Sequence, residues 1–459
     1  MPQRFARAGH RRARIVSFIA ACAVVFTLGV GCAGTPRRRV LDAIDARRSG
    51  DALAAYERFR REEEPDGALL ARVAALILEE AALGDDVRLR DAALSQLTLA
   101  GTASTPTLER LAVLRGHDVV RARALAALAQ RGDDGARDAL RAMLGHADAD
   151  VNAAAVRVLD AQTRRADLLQ ALSSPQAAVR AAAADALRAA APDADVRSAL
   201  AQTARADAET RVRAAAARAL GAFGASAAET LRERLADPDP SVRSAAIGAL
   251  VAADRSAARL ALTPLLALAP SSAGIEAARA LAREISDDAR ATVDARAYLL
   301  RALESSEASL RVSAAISLVS LPQDPTLSAT LTRVMISDSD VSVRLLLATT
   351  LARPGGTDRA GATAARTTAA RTTLTAILRD GAMPGVQAAA ALAALGDAAA
   401  IRALSTQLTD ADPAIRRVAA RALARDALRP DAARRALGDA DATVRIAAAG
   451  GILSAHAAS

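Results

Sequence analysis

A short phrase recurs along this chain at a spacing of about 32 residues. In the stretch LADPDPSVRSAAIGAL (235–250), a Val-Arg pair follows two aspartates and precedes alanines that end on a leucine. A period of roughly 20 to 50 residues is typical of stacked supersecondary units, so it predicts a repeat array instead of one globular core. The branched residue of the pair, which we call the anchor, recurs at Leu89, Val120, Val151, Val179, Val212, Val242, Ala273, Leu310, Val343, Val386, Ile415 and Val444.

Each unit is predicted to hold two helices. Asp239 is placed to cap the second helix and Pro240 to occupy its first turn, where a missing N–H costs nothing. A shorter leucine-based helix precedes it, as at 231–235. Alanine in the apolar stripe lets helix axes approach closely, so neighbouring units share one thin core. The stripe falls at helical spacing on Val242, Ala245, Ala246, Ala249 and Leu250.

The composition excludes a strand-rich fold. Aromatic residues make up 2% of the 459 residues and tryptophan is absent, whereas strands favour aromatic and β-branched side chains. The predicted fold class is therefore all-α, an α-solenoid of about twelve two-helix repeats over residues 85–455.

The repeated phrase resembles the HEAT-repeat superfamily, and within it the short HEAT-like subtype of phycobilisome lyases, whose pattern is D-x-D-x-x-V-R-x-x-A-A-x-A-L. The resemblance spans about 85–453 and implies a right-handed superhelix. It also implies a structural ladder in which an arginine pairs with the aspartate six residues before it. Because Ser174 and Ser305 depart from that pattern, the ladder is expected to be broken in mid-array. Five pairs have the spacing: Asp207/Arg213, Asp237/Arg243, Asp338/Arg344, Asp410/Arg416 and Asp439/Arg445.

The first 31 residues are predicted to be a targeting segment. An arginine-rich stretch precedes the apolar run IVSFIAACAVVFTLGVG and then Cys32. Residues 28–32 resemble a bacterial lipoprotein lipobox, with Gly29 where leucine is usual, which implies that Cys32 is lipidated. An uncleaved signal anchor and an ordinary secretory signal are the alternatives. Ala33 replaces the aspartate that often retains lipoproteins at the inner membrane, so the resemblance points to the outer membrane, facing the periplasm.

Two segments lie outside the repeat rhythm. Residues 32–40 are predicted to be a lipidated tether, whose Arg37–Arg39 either contact anionic headgroups or are merely solvated. Residues 41–84 are predicted to form a helical N-terminal cap on the stack. An insertion near 353–372 holds four arginines and one acid, and is either a contact loop or a disordered spacer.

The C-terminal end has no comparable cap. Ile446, Ile452 and Leu453 are followed by only a few small residues, and Gly450-Gly451 is expected to weaken the last helix by about 1 kcal/mol per glycine. We therefore expect residues 444–459 to fray in an isolated monomer, or to be covered by a partner or a second copy.

Motifs for chemistry are missing. The sequence holds no Cys/His cluster with metal-ligand spacing, no glycine-rich phosphate loop and no GxSxG, and His117 and His146 are interpreted as polar turn residues. Four aromatic residues follow the leader, too few for stacking on nucleic acid, and the net charge of +9 falls to +4 for residues 32–459. The sequence predicts no enzyme, no catalytic, cofactor-binding or metal residues, no cofactor and no nucleic-acid partner.

These observations predict a membrane-anchored periplasmic scaffold or adaptor that binds protein partners through its solenoid surface. Two alternatives stay open. One is a lyase-like or chaperone-like HEAT protein that handles a cofactor, and the other is an interaction protein held by an uncleaved signal anchor.

Overall fold

The computed structural model describes residues 35–285, 289–322, 324–353, 360–426 and 429–458. Throughout these ranges the secondary structure is helical and no strand occurs. Three helices precede the first anchor residue: α1 (Pro36–Asp45), α2 (Ser49–Glu62) and α3 (Gly67–Leu83).

The remaining helices alternate between those that carry an anchor residue and those that do not. We call the even-numbered helices from α4 to α26 anchor helices and the odd-numbered ones from α5 to α25 companion helices. They are α4 (Val87–Leu99), α5 (Thr105–Ala112), α6 (Asp118–Gln130), α7 (Asp134–Arg141), α8 (Ala149–Arg157), α9 (Arg165–Ala171), α10 (Ala177–Leu187), α11 (Ala194–Ala206), α12 (Thr210–Leu220), α13 (Ala228–Arg234), α14 (Pro240–Ala253), α15 (Arg255–Leu262), α16 (Ser272–Arg283), α17 (Ala289–Ala302), α18 (Ala308–Val319), α19 (Pro325–Ser337), α20 (Val341–Leu351), α21 (Ala360–Asp380), α22 (Ala382–Ala394), α23 (Ala398–Gln407), α24 (Pro413–Arg421), α25 (Pro430–Ala433) and α26 (Ala442–Ala458).

Local sequence signals explain where the anchor helices begin. The Asp239 carboxylate accepts a hydrogen bond from the Ser241 backbone N–H, and Pro240 is the first residue of α14. Asp148, Asp340 and Asp412 cap α8, α20 and α24 in the same way. Each cap satisfies a backbone donor that has no partner within the helix.

The alanine stripes form the core. In α12, Val212, Ala215, Ala216 and Leu220 are fully buried, and the other anchor helices repeat this pattern. Each anchor helix packs against the next one, while most companion helices touch each other less. In a curved array, neighbouring helices lie closer together on the inside of the curve than on the outside. The anchor helices therefore form the inner layer and the companion helices the outer layer. The predicted all-α solenoid is confirmed.

The two ends of the array meet. Helix α26 packs against α24 on one side and against α3 and α4 on the other, so the twelve anchor helices form a closed ring. Two ion pairs cross the seam, Arg60 to Asp431 at 3.0 Å and Arg434 to Glu57 at 3.1 Å. The N-terminal helices thus complete the ring, instead of merely capping one end of an open stack.

Closure overturns the expectation of a fraying C-terminus. Ile446, Ile452 and Leu453 are buried, because α3 and α4 of the same chain cover the apolar stripe that a missing thirteenth repeat would otherwise cover. The two glycines also have a packing role. A Cβ on Gly450 would lie 2.2 Å from Gln96 Oε1, and a Cβ on Gly451 would lie 2.9 Å from Ala424 Cβ. Glycine at both positions lets α26 approach its neighbours on both sides.

The N-terminal segment departs from the predicted tether. Helix α1 begins at Pro36, and Val40 is already buried, so residues 36–40 belong to the folded body. Arg37 pairs with Asp66 at 3.1 Å and Arg38 with Asp42 at 2.8 Å. These two arginines therefore form ion pairs within the fold, a role that differs from the predicted headgroup contact or solvation. Cys32 and the leader lie outside the described residues. In the part that is described, none of the helices has both the length and the apolar character needed to cross a bilayer.

The insertion near 353–372 also differs from expectation. Residues from 360 onward belong to α21, which packs against α19, α20 and α22, and Arg366 is buried in that packing. Arg371 Nη2 donates to the Leu395 carbonyl at 3.3 Å. Neither a contact loop nor a disordered spacer describes residues 360–372, whereas 354–359 lie outside the described residues.

Candidate interaction surface on the inner face of the ring

Each anchor helix leaves one stripe of residues exposed. On α14 this stripe consists of Ser241, Ser244, Ala245, Gly248 and Ala252, which recur at helical spacing. Companion helices cover the outer side of the anchor helices, and neighbouring anchor helices cover both flanks. The exposed stripes therefore face the interior of the ring, and together we call them the inner face.

The size of the ring limits what can enter it. Twelve helices at about 8–10 Å spacing give a circumference of roughly 100–120 Å through the helix axes. The corresponding diameter is about 31–38 Å, and subtracting one helix radius on each side leaves an opening of roughly 20–28 Å. An extended polypeptide or a single α-helix fits inside it, whereas a folded domain does not.

Positive charge is concentrated on the inner face. By register with the exposed stripe of α14, eleven arginines and four carboxylates of the anchor helices and their C-terminal extensions fall on this face, an excess of seven positive charges, whereas residues 32–459 as a whole carry +4. Such a separation of charge attracts acidic partners to the opening and repels them from the outside. The residues are Arg88, Arg123, Arg157, Arg188, Arg211, Arg218, Arg279, Arg283, Arg417, Arg421 and Arg425, with Asp91, Asp150, Asp185 and Glu276.

The arc from α10 to α14 holds a depression on this face. A groove of about 640 Å³ is lined by Arg188, Arg218, Ser244 and Gly248, among others. Gly248 keeps it open, because no atom lies within 4 Å of the position a Cβ would take. Arg218 pairs with Asp185 at 3.2 Å, and both side chains are about half-exposed. Within the described ranges, the Arg188 guanidinium and the Ser244 hydroxyl make no hydrogen bond to protein.

The ladder arginines lie at the edge of the anchor helices and make a regular contact. Arg213 Nη1 donates to the backbone carbonyl of Asp207 at 3.0 Å, six residues earlier. Its Nε and Nη2 bind both carboxylate oxygens of Asp237 in the next repeat, at 3.0 and 3.1 Å. The side-chain pairing is thus shifted by one repeat from the one predicted, because the guanidinium fork points along the array.

The same bidentate contact joins three other repeat boundaries. Arg180 binds Asp207, Arg311 binds Asp338 and Arg416 binds Asp439. The prediction missed Arg180 and Arg311 because it looked for an aspartate six residues before each arginine. The informative signal is an aspartate 23 to 27 residues after it.

The ladder is interrupted. Arg243, Arg344 and Arg445 donate to the backbone carbonyls of Asp237, Asp338 and Asp439, but the described residues provide no carboxylate partner for them in a following repeat. Asp410, the remaining predicted member, accepts from Arg416 through its carbonyl.

Electrostatics indicates a structural role for the ladder. Burial alone would raise the pKa of Asp237, but hydrogen bonds from Arg213 and from the Asp239 backbone N–H hold that pKa below its usual range. The carboxylate therefore stays ionised and occupied by protein donors. The ladder therefore ties neighbouring repeats together.

His146 and the aromatic side chains of the described residues have structural positions. Among the described residues, no cluster of three or more His, Cys, Asp or Glu side chains is placed to hold a metal ion. His146 lies in a turn, where its Nδ1 accepts from the Asp148 backbone N–H and its Nε2 lies 3.3 Å from Asp118. Every aromatic side chain of the described ranges is buried, namely Tyr56, Phe59, Phe223 and Tyr298.

One inner-face carboxylate is energetically unfavourable. Burial raises the pKa of Glu276, with Arg279 and Arg243 opposing the shift, and Oε2 has no hydrogen-bond partner. A raised folded-state pKa gives stability that is present at low pH and lost as pH rises through the folded value. We expect Glu276→Gln to raise Tm at pH 7 and to leave it unchanged near pH 4, measured by thermal circular dichroism. Asp185→Asn is the exposed control, and equal effects of the two at both pH values would contradict the assignment.

Comparison with known proteins finds one family profile and several solved structures. A profile described as HEAT repeats matches residues 165–251 and 198–282. Among solved structures, the complex of CpcE and CpcF of phycocyanin lyase from Nostoc sp. is similar at 23% identity, covering 50% of this chain and 93% of that one, with a TM-score of 0.29. The E. coli protein YibA is similar at 16% identity, covering 65% and 95%, with a TM-score of 0.30. No protein among the curated sequences matches the chain.

The fold and the inner face define an α-solenoid closed into a ring, of which residues 165–282 match the HEAT-repeat profile. The profile covers four repeats in the middle of the array, and the structure shows that the same two-helix unit continues on both sides of them.

Proposed function

We propose that this protein is a scaffold of the bacterial envelope that binds a protein partner on the inner face of its ring. The observation that carries the proposal is the position of the exposed anchor-helix stripes, which line one surface inside the ring and include polar groups without a protein partner, such as Arg188 and Ser244. An extended segment of a partner fits an opening of roughly 20–28 Å and would contact several repeats at once.

The cofactor-handling alternative has less support. A site for a pigment or another aromatic cofactor is usually an enclosed, mostly apolar pocket with a few polar groups that fix the orientation of the ligand. The groove at α10–α14 instead is open and is lined by arginines, serines and small residues. We therefore favour polypeptide binding.

Lipid anchoring at Cys32 is part of the proposal. The basic leader, the apolar run and the lipobox-like residues 28–32 support it, as does the start of the folded body at Pro36. Cys32 stands four residues before α1, so a lipid on that cysteine would hold the ring close to the membrane. We propose the outer membrane, with the ring in the periplasm.

Site-specific photo-crosslinking tests the binding proposal. A photo-reactive residue at Gly248 on the inner face should give a discrete adduct with an envelope protein in intact cells. The same residue at Leu260, which is exposed on companion helix α15, is the matched control and should give none. Adducts from position 260 but not from position 248 would place the binding surface on the outside and sink the proposal.

Substitution of Cys32 tests the anchor. Cys32→Ser should abolish metabolic labelling with a palmitate analogue and leave either an uncleaved precursor or a soluble product. Cys22→Ser, which changes the other cysteine of the chain, should leave labelling unchanged. A Cys32→Ser protein that is processed normally and stays in the membrane fraction would show that the anchor lies elsewhere.

A further inference from the structure

We infer that the groove between α10 and α14 binds an acidic, extended segment of the partner polypeptide. The inference rests on the proposed function and specifies the chemistry of the bound segment. Its starting point is the pair Arg188 and Arg218, which line the groove from two successive repeats.

The charges around the groove favour an anion. Arg157 and Arg211 extend the row of exposed arginines on α8 and α12, so that four arginines face two carboxylates, Asp150 and Asp185, on the stripes of α8, α10 and α12. Asp185 binds Arg218 at an exposed position, where such a pair contributes at most about 1 kcal/mol. A carboxylate of a ligand can therefore replace Asp185 at little cost and form a bidentate contact with the guanidinium.

The shape and the remaining polar groups favour a polypeptide. Ser244 offers a hydroxyl without a protein partner, and the small residues Ala222 and Gly248 leave room for a main chain to lie against the helices. In an extended peptide, side chains on one face recur about every 6.6 Å, about 1 Å more than the roughly 5.4 Å pitch of α14, so two successive side chains of the peptide can lie over two successive turns. Single-stranded nucleic acid is disfavoured, because binders of that class stack bases on exposed aromatic residues and this face has none.

Asp185 makes the inference testable in both directions. If the groove binds carboxylates, Asp185 competes with the ligand for Arg218. Removing Asp185 should then tighten binding, whereas removing the arginines should weaken it. A residue with only a structural role would not give opposite effects of this kind.

The experiment uses the full chain purified in detergent and a fluorescein-labelled 16-residue peptide of alternating glutamate and serine. Fluorescence anisotropy at low salt should show binding that weakens about tenfold or more in Arg188→Gln/Arg218→Gln. Asp185→Asn should tighten it by about twofold to fivefold. The matched control is Arg232→Gln/Arg255→Gln, which removes two exposed arginines from companion helices α13 and α15 and should leave the affinity within about twofold.

Specific outcomes overturn the inference. Equal losses in the inner and outer double variants would mean that the peptide senses only net charge. Tighter binding of a single-stranded oligothymidine than of the peptide, with the same dependence on Arg188 and Arg218, would show that the groove binds nucleic acid and reject the polypeptide. An envelope adduct from position 248 that persists in Arg188→Gln/Arg218→Gln would retain the proposed function and reject the acidic segment. Absence of any adduct from that position would reject the proposed function itself.

Discussion

Gly274→Ala is expected to destabilise the protein by about 2–4 kcal/mol, far more than an exposed glycine substitution. A Cβ at this position would lie 1.9 Å from Tyr298 Oη and 2.4 Å from Tyr298 Cζ, and the ring is fully buried on α17. The tyrosine cannot move without cost. Its hydroxyl donates to the Ala269 carbonyl and accepts from the Ser271 backbone N–H, both at 3.0 Å.

The same geometry explains why this repeat lacks the Val-Arg pair. A ladder arginine donates to the carbonyls six and five residues before it, as Arg213 does to Asp207 and Ala208. Counted from Gly274, the carbonyl five residues earlier belongs to Ala269, which Tyr298 binds instead. The tyrosine hydroxyl from the companion helix thus takes over a contact of the missing arginine, and only glycine leaves room for the ring.

Urea denaturation followed by circular dichroism measures this effect. The control is Gly248→Ala, where nothing lies within 4 Å of the new Cβ, and where alanine should stabilise the helix by about 0.5–1 kcal/mol. In the double variant Gly274→Ala/Tyr298→Leu, part of the loss should be recovered, because the smaller side chain vacates the clash. Equal behaviour of the two glycine variants would contradict the packing at Tyr298.

The parts of the structure that were predictable from the sequence are those encoded within one repeat. The caps at Asp239 and Asp412 and the alanine stripe after Val242 are local signals, because each depends on residues within one helix. The ladder was only half predictable. Arg213 and Asp237 belong to successive repeats, and their pairing depends on how two units stack, which no spacing within one unit reveals.

Ring closure left no local signal. It depends on a small rotation per repeat that accumulates over twelve repeats, so neither end of the sequence indicates it. From the sequence, Ile452 and Gly450 therefore suggested an uncapped, weakened helix. In the ring, Ile452 is buried and Gly450 lies against the Gln96 side chain of α4. The helix from Ala360 to Asp380 was missed for a different reason. Threonine-rich segments such as TTAARTT have weak helix propensity, and tertiary packing against α20 and α22 outweighs that preference.

Gly450→Leu is expected to open the ring. Helix α26 lies between α24 and α4, and the Gly450 position has no space for a side chain, because a Cβ alone would meet the Gln96 side chain at 2.2 Å from Oε1 and 2.8 Å from Cγ. The leucine must displace Gln96 or push α26 away from α4. Displacing the whole helix exposes the apolar stripes of α26, α3 and α4 to water, which costs roughly 25 cal/mol per Å² of apolar surface.

Two measurements on the purified monomer follow this change. Hydrogen exchange in 444–458 should be slow in the unsubstituted protein and become faster by about tenfold or more in Gly450→Leu, with α3 and α4 responding together because they share the seam. Small-angle X-ray scattering should show a larger radius of gyration for the variant. Gly248→Leu is the control, since it places the same side chain on an open stripe and leaves the seam intact. Fast exchange of 444–458 in the unsubstituted monomer would contradict ring closure and support the frayed C-terminal helix expected from the sequence. An unchanged radius and unchanged protection in Gly450→Leu would show that the contact between α26 and α4 does not hold the ring closed.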